Sequence, residues 1–150
     1  MTPPRLALTL QGHDRFDGLP SRNTLRRWML AALDAPARLT LRFVDAREGR
    51  RLNRQFRGRD YATNVLTFDY QRAPVVIADI VVCVPVIHRE AREQHKRVRA
   101  HLAHMVMHGV LHAAGHDHQH RAAARRMEAL ETRLLARLGI GDPYGMPDNA

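Results

Sequence analysis

The residues best suited to chemistry are the histidines of the stretch 101–120, HLAHMVMHGVLHAAGHDHQH, which holds seven of the chain's ten. His108 and His112 stand four apart. On a helix that spacing puts two imidazoles on one face, roughly 6 Å apart at Cβ, a separation that suits two ligands of one metal ion. Gly115 is placed to end the helix, because glycine takes the left-handed conformation after a last turn without penalty. The chain can then turn back and bring His118 towards the same ion. Nitrogen donors suit zinc, and three protein ligands leave a fourth position for water, the pattern of a catalytic rather than a structural site. His101 and His104 lie on the same stripe, so spacing alone does not choose the ligands. A lone core histidine is usually a hydrogen-bonded packing residue, whereas a stripe ending in glycine reads as a metal site.

Some zinc peptidases carry HxxxHxxGxxH, with the third histidine six residues after the second. His112 and His118 have that spacing, with Gly115 between them. Those peptidases also have a glutamate directly after the first histidine to act as general base. Here Gly109 stands there, which argues against a peptidase.

The stripe needs a helix to carry it. From about Arg97 to Ala114 the chain is apolar nearly all round (Leu102, Met105, Val106, Val110, Leu111), which predicts a buried helix. Upstream, Leu6, Leu8 and Leu10 alternate with other residues as in a strand. Leu25, Trp28, Met29, Ala32 and Leu33 form a helical stripe, which Ser21, Asn23 or Thr24 can cap. Leu39, Leu41 and Phe43 predict a second strand. Asp45 can cap a helix carrying Leu52 and Phe56, although Gly49 weakens it. Asn64–Phe68 reads as a third strand, DYQRAP as a turn, and Val75–Cys83 as a central fourth strand, apolar on both faces. Asp79 interrupts that strand and needs a partner. It reads first as an internal anchor, with a site-facing role as the alternative. Pro85 suits a first helical turn. The segment from there to Lys96 reads as charged and exposed, with His88 and His95 on the surface. Met127, Leu130, Leu134 and Leu138 line a last helix that Gly139 ends. The mixed order of elements predicts a single α+β domain spanning 1–150.

Arginine and lysine outnumber acidic residues 24 to 15, a net charge of +9, which favours a polyanionic partner such as nucleic acid. Only one lysine, Lys96, is present. The arginine excess is therefore also what a GC-rich genome would produce. A single cysteine, Cys83, rules out an intrachain disulfide and fits a reducing, cytoplasmic setting. The N-terminus lacks the apolar core of a signal peptide, and no apolar run reaches the ~20 residues needed to cross a bilayer.

The segment His108-Gly-Val-Leu-His112-Ala-Ala-Gly115-His116-Asp117-His118 resembles the signature of the YbeY family of bacterial zinc-dependent endoribonucleases. Leu52–Asp60 and Thr63–Phe68 resemble the family's second block, Ala78–Cys83 its third, and Met127, Glu128, Glu131, Pro143 and Tyr144 its tail. Departures include Ala62 for a usual proline, Ala78 for a usual glycine, and His116 for a common tyrosine. Asn64 and Thr67 are milder variants. The resemblance implies a mixed four-stranded sheet flanked by helices, with the metal at the C-terminal end of a buried helix. It implies His108, His112 and His118 as ligands of one zinc per chain, with His108 and Arg57 in catalysis. Asp117 reads equally as a partner orienting a ligand or as a turn residue only, and His116 is a rival donor. The implied activity is single-strand-specific cleavage of RNA in 3′-end maturation of small-subunit (16S) rRNA and in ribosome quality control. The implied partners are rRNA or its precursor, the small ribosomal subunit and its assembly factors, with neither DNA nor membrane. The nucleophile is left open between water and the RNA's own 2′-hydroxyl. Two other classes compete: an assembly factor that mainly binds, and a zinc peptidase.

Overall fold

The computed structural model describes residues 5–116 and 120–144. Four strands form one sheet: β1 (Leu6–Gln11), β2 (Ala37–Val44), β3 (Val65–Gln71) and β4 (Val76–Cys83). Their order is β1-β2-β4-β3. β1, β2 and β4 run parallel, while β3 pairs antiparallel with β4 and forms an edge. Parallel neighbours need long crossovers. Helix α1 (Arg22–Ala31) supplies one, and α2 (Ala46–Arg57) lies between β2 and β3. Three further helices follow: α3 (Val84–Glu93), α4 (Val98–Ala113) and α5 (Arg121–Arg137). The fold is a single α+β domain, as the element order predicts. Among the described residues no helix is long and apolar enough to cross a membrane.

Two apolar clusters hold the layers together. The larger joins Leu25, Trp28 and Met29 of α1, Leu39 and Leu41 of β2, Ile80 and Val82 of β4, Val106, Met107 and Val110 of α4, and Met127 and Leu134 of α5. The smaller, on the opposite face, joins Leu52 of α2 to Leu66, Val81 and Val86. Each fully buried Leu, Ile, Val or Met side chain stabilises the fold by about 1.5–3 kcal/mol. β4 contributes to both clusters, which explains why its sequence is apolar in both registers.

Local chemistry sets the helix ends. Ser21 Oγ accepts the Thr24 amide at 3.2 Å, and Asp45 Oδ1 accepts the Glu48 amide at 2.9 Å. Gly49 lies inside α2, where it is buried against Cys83; an added Cβ would sit 3.1 Å from the thiol sulfur. Two expectations need correction. Asp69, Tyr70 and Gln71 belong to β3 rather than to a turn. The Tyr70 hydroxyl donates to Asp79 Oδ2 on the neighbouring β4 at 2.8 Å, which helps keep the strands paired. The segment after Pro85 is not simply exposed. Val84, Val86, Ile87 and Ala91 are buried, and only the outer face of α3 carries the charges. His88 and His95 are exposed, as expected.

Candidate metal and RNA cleft

Helix α4 packs on β3 and β4 and against α1, α3 and α5. It can lie close to the sheet because residue 109 has no side chain. A Cβ at Gly109 would come 2.7 Å from Ile80 Cγ2. Position 109 therefore faces β4, and a glutamate base of the peptidase kind has no room there.

α4 ends as Gly115 suggests. That residue has φ +104°, its amide donates to the His112 carbonyl at 3.0 Å, and the His116 amide reaches back to the Leu111 carbonyl at 3.0 Å. This is a Schellman closure. It turns the chain sharply just beyond His112. His116 itself is exposed. Asp117 and His118 lie outside the described residues.

A cleft of about 520 Å³ opens between α2, β3 and this end of α4, and Asn53, Arg57, Arg59, Thr67, His104, His108, His112 and Tyr144 are among its lining residues. Residues distant in sequence thus meet in one place. Arg57, the last residue of α2, donates Nη2 to the Thr67 carbonyl at 2.9 Å, and its guanidinium lies 5.2 Å from the Phe68 ring centroid. Asn53, one helical turn earlier, is buried and donates to the Tyr61 carbonyl at 2.7 Å. The C-terminus of α4 adds the negative end of its dipole, which favours a cation.

Behind the histidines lies a carboxylate that the spacing arguments missed. Glu131 of α5 is fully buried. Its Oε1 is 2.6 Å from His108 Nδ1, its Oε2 is 2.6 Å from His104 Nε2, and the Tyr144 hydroxyl donates to Oε2 as well. Burial pushes this carboxyl up, but hydrogen bonds from His104, His108 and Tyr144 outweigh burial and bring its pKa down to about 2. Burial, then the bond to Glu131, push the Tyr144 phenol well above its ordinary value. The signal was present in the sequence: Glu131 falls on the same stripe as Met127 and Leu134, and a carboxylate on a buried face needs partners.

His104, His108 and Glu131 each offer a ligand atom within 4.8 Å of the others, and such a group could hold a metal ion. Two donors of one tetrahedral zinc, each ~2.1 Å from it, lie roughly 3.4 Å apart. The 2.6 Å separations are instead hydrogen-bond lengths. As placed, the triad is a hydrogen-bonded network behind the cleft.

The remaining candidate lies elsewhere. Asp79 sits on the α2 face of the sheet, bonded to Tyr70, in a separate groove with Arg42, Phe56 and Phe68. It is half-buried rather than internal, its partner is a tyrosine on the neighbouring strand, and it does not line the histidine cleft.

Fold and cleft together define an α+β domain with a histidine-based, metal-capable site facing an arginine. The model of the family described as Endoribonuclease YbeY matches residues 20–139. The chain belongs to this family. Its relatives include the endoribonuclease YbeY of Methylibium petroleiphilum, 53% identical over 143 residues and covering 94% of this chain and 95% of that one. The Cupriavidus pinatubonensis protein of the same name is 53% identical over 148 residues, with 95% and 74% covered. The solution structure of a Thermotoga maritima protein aligns with a TM-score of 0.55 at 22% identity, covering 92% of this chain and 99% of that one, and supports the fold.

Proposed function

We propose that this chain is a zinc-dependent endoribonuclease that cleaves single-stranded RNA in 3′-end maturation and quality control of the small ribosomal subunit, in the cytoplasm. Residues 1–150 act as one hydrolase domain. The observation that carries the reading is the convergence of Arg57, His108 and His112 on one cleft. His108 and His112 would hold one zinc together with His118. The donor set fits that ion, because two imidazoles share a cleft wall and one of them has its other ring nitrogen fixed by a buried carboxylate.

When bound, the ion supplies Lewis acidity towards a phosphoryl oxygen and activation of water. The chain's own residues do the rest. Arg57 is held at the rim by Thr67 and Phe68, which leaves donors of its planar fork to grip the scissile phosphate and offset charge that develops on it. Arg59 lines the same cleft and adds positive charge along the RNA path. The net charge of +9 supports a polyanionic substrate, and the names of the relatives support RNA.

The test compares small-subunit rRNA 3′ ends in cells that carry the wild-type or the His112→Ala protein. Extended 3′ ends are expected to accumulate with the variant. Normal ends would overturn the nuclease reading and favour an assembly factor that works by binding, which the basic surface also suits.

A further inference from the structure

We infer that Glu131 is a positioning residue: through its bond to Nδ1 it fixes the ring orientation and tautomer of His108 and so presents Nε2 of that histidine to the metal. This rests on the proposal that His108 and His112 are ligands. The argument begins from hydrogen-bond chemistry. A carboxylate only accepts, so the nitrogen 2.6 Å from Glu131 Oε1 must carry a proton. A neutral imidazole protonated at Nδ1 has its lone pair on Nε2, the form a metal ligand needs.

Three features show that Glu131 is built for this. Its side chain is fully buried, and Met127 and Leu134 on the same face of α5 are buried with it, so its rotamer is confined. Its second oxygen is occupied by His104 Nε2 at 2.6 Å and by the Tyr144 hydroxyl, so it cannot swing towards the cleft without breaking both bonds. His104 Nδ1 is buried and has no hydrogen-bond partner among the described residues, while its Nε2 meets Glu131 and the Tyr144 hydroxyl, so this ring braces the carboxylate at the back of the cleft. Tyr144 is itself tied back: its amide donates to Asp142 Oδ1 at 2.9 Å, and its ring meets His104 edge-on. One carboxylate thus links α4, α5 and the segment after α5 to the orientation of a single ring.

The test uses the full chain and two readouts besides cleavage. The first is zinc affinity by competition with a chromophoric chelator, and the second is the His108 tautomer in the metal-free protein by nitrogen NMR. In Glu131→Gln the amide can turn its NH₂ towards His108, which favours the opposite tautomer. Zinc affinity is expected to fall about 10–100-fold, as losing such a partner generally does. Tyr144→Phe, which removes only the hydroxyl of a half-exposed ring, should weaken zinc binding less. Wild-type affinity in Glu131→Gln, with zinc still lost in His112→Ala, would overturn the positioning role and leave the ligand reading standing. Zinc retained in His112→Ala but lost in Glu131→Ala would make Glu131 a ligand, and both readings would fall. If Glu131→Gln does not fold, the wild-type tautomer decides: a proton on Nε2 of His108 rules the proposal out.

Discussion

The two halves of α4 each carry a pair of histidines, three residues apart in the first half and four apart in the second, and use them differently. In the first half His101 is buried, with Nε2 2.9 Å from Glu90 Oε1, and His104 is buried against Glu131. In the second half His108 and His112 are only half-buried and line the cleft with Arg57. What separates the halves is what packs over them. The first half is covered by α3 and α5, whose Glu90 and Glu131 supply acceptors, and Glu131 also reaches Nδ1 of His108 in the second half. The second half ends at the Gly115 turn, where the cleft opens. A histidine stripe is therefore not one site. Its covered end is held by carboxylates of the neighbouring helices, and its open end lines the cleft beside Arg57.

The largest expected effect comes from the open end. His108→Ala or His112→Ala should lose bound zinc and nearly all RNA cleavage, while His101→Gln keeps the metal and His104→Ala, which removes a brace of Glu131 but no proposed ligand, keeps it with weaker affinity. Metal content by atomic spectroscopy on the purified variants checks this, and full zinc in His112→Ala would erase the proposed division. Next in size is Arg57→Ala. It removes the phosphate-gripping fork and only rim contacts with Thr67 and Phe68, so fold and zinc should persist while cleavage falls about 10²–10³-fold, the usual cost of losing one charge-stabilising group. A variant that cleaves as fast as wild type would remove Arg57 from the mechanism.

The covered end should respond in stability instead. Glu90→Ala leaves the Asn64 amide and the His101 ring without their acceptor. Each stranded donor costs about 1–3 kcal/mol, with no loss of zinc. The covered end also predicts a pH effect. Burial holds His101 below its ordinary value of 6.5, and the bond and charge of Glu90 only partly offset this. With the folded pKa depressed, the contribution of this group is present above about pH 6.5. It is lost as pH falls through the folded value, because the unfolded chain takes up the proton first. Thermal melts from pH 7.5 to 5 should show the difference between wild type and His101→Gln shrinking as pH falls. A difference that stays flat would mean that His101 titrates normally.

Much of this contrast was legible in the chain. The apolar surround of α4 showed a buried helix, the four-residue spacing showed a shared face, and Gly115 showed where the helix stops. Asp45 and Ser21 cap their helices because short polar side chains compete for amides locally, and local competition is readable. Pairings between distant segments were not readable. Periodicity near Arg57 does not say that it shares a cleft with His108, because that depends on β3 turning antiparallel at the sheet edge; only the resemblance of Leu52–Asp60 to a family block pointed to it. Tyr70 and Asp79 pair across strands, a partnership that neither the turn-like segment nor the lone strand carboxylate reveals by itself. Glu131 was visible as a carboxylate on a buried stripe, but its partners come from another helix.

The smallest effect tests what seats the open half against the sheet. Gly109→Ala adds a methyl whose carbon would lie 2.7 Å from Ile80 Cγ2, a branched methyl group that cannot swing aside. Overpacking of this kind costs about 1–3 kcal/mol. Alanine returns about 1 kcal/mol through its better helix propensity, so the net loss should be about 0–2 kcal/mol. The consequence for the cleft is separable from that loss. To relieve the contact, α4 must lift from β4 at the turn that carries His108, shifting this ring relative to Glu131 while His101 and His104 stay anchored by α3 and α5. Zinc affinity in Gly109→Ala should fall more than the melting temperature suggests, and the His101–Glu90 bond should keep its NMR signature. If affinity and stability instead fall together with both halves perturbed, α4 moves as one rigid rod, and the division between its ends lies in their coverings alone.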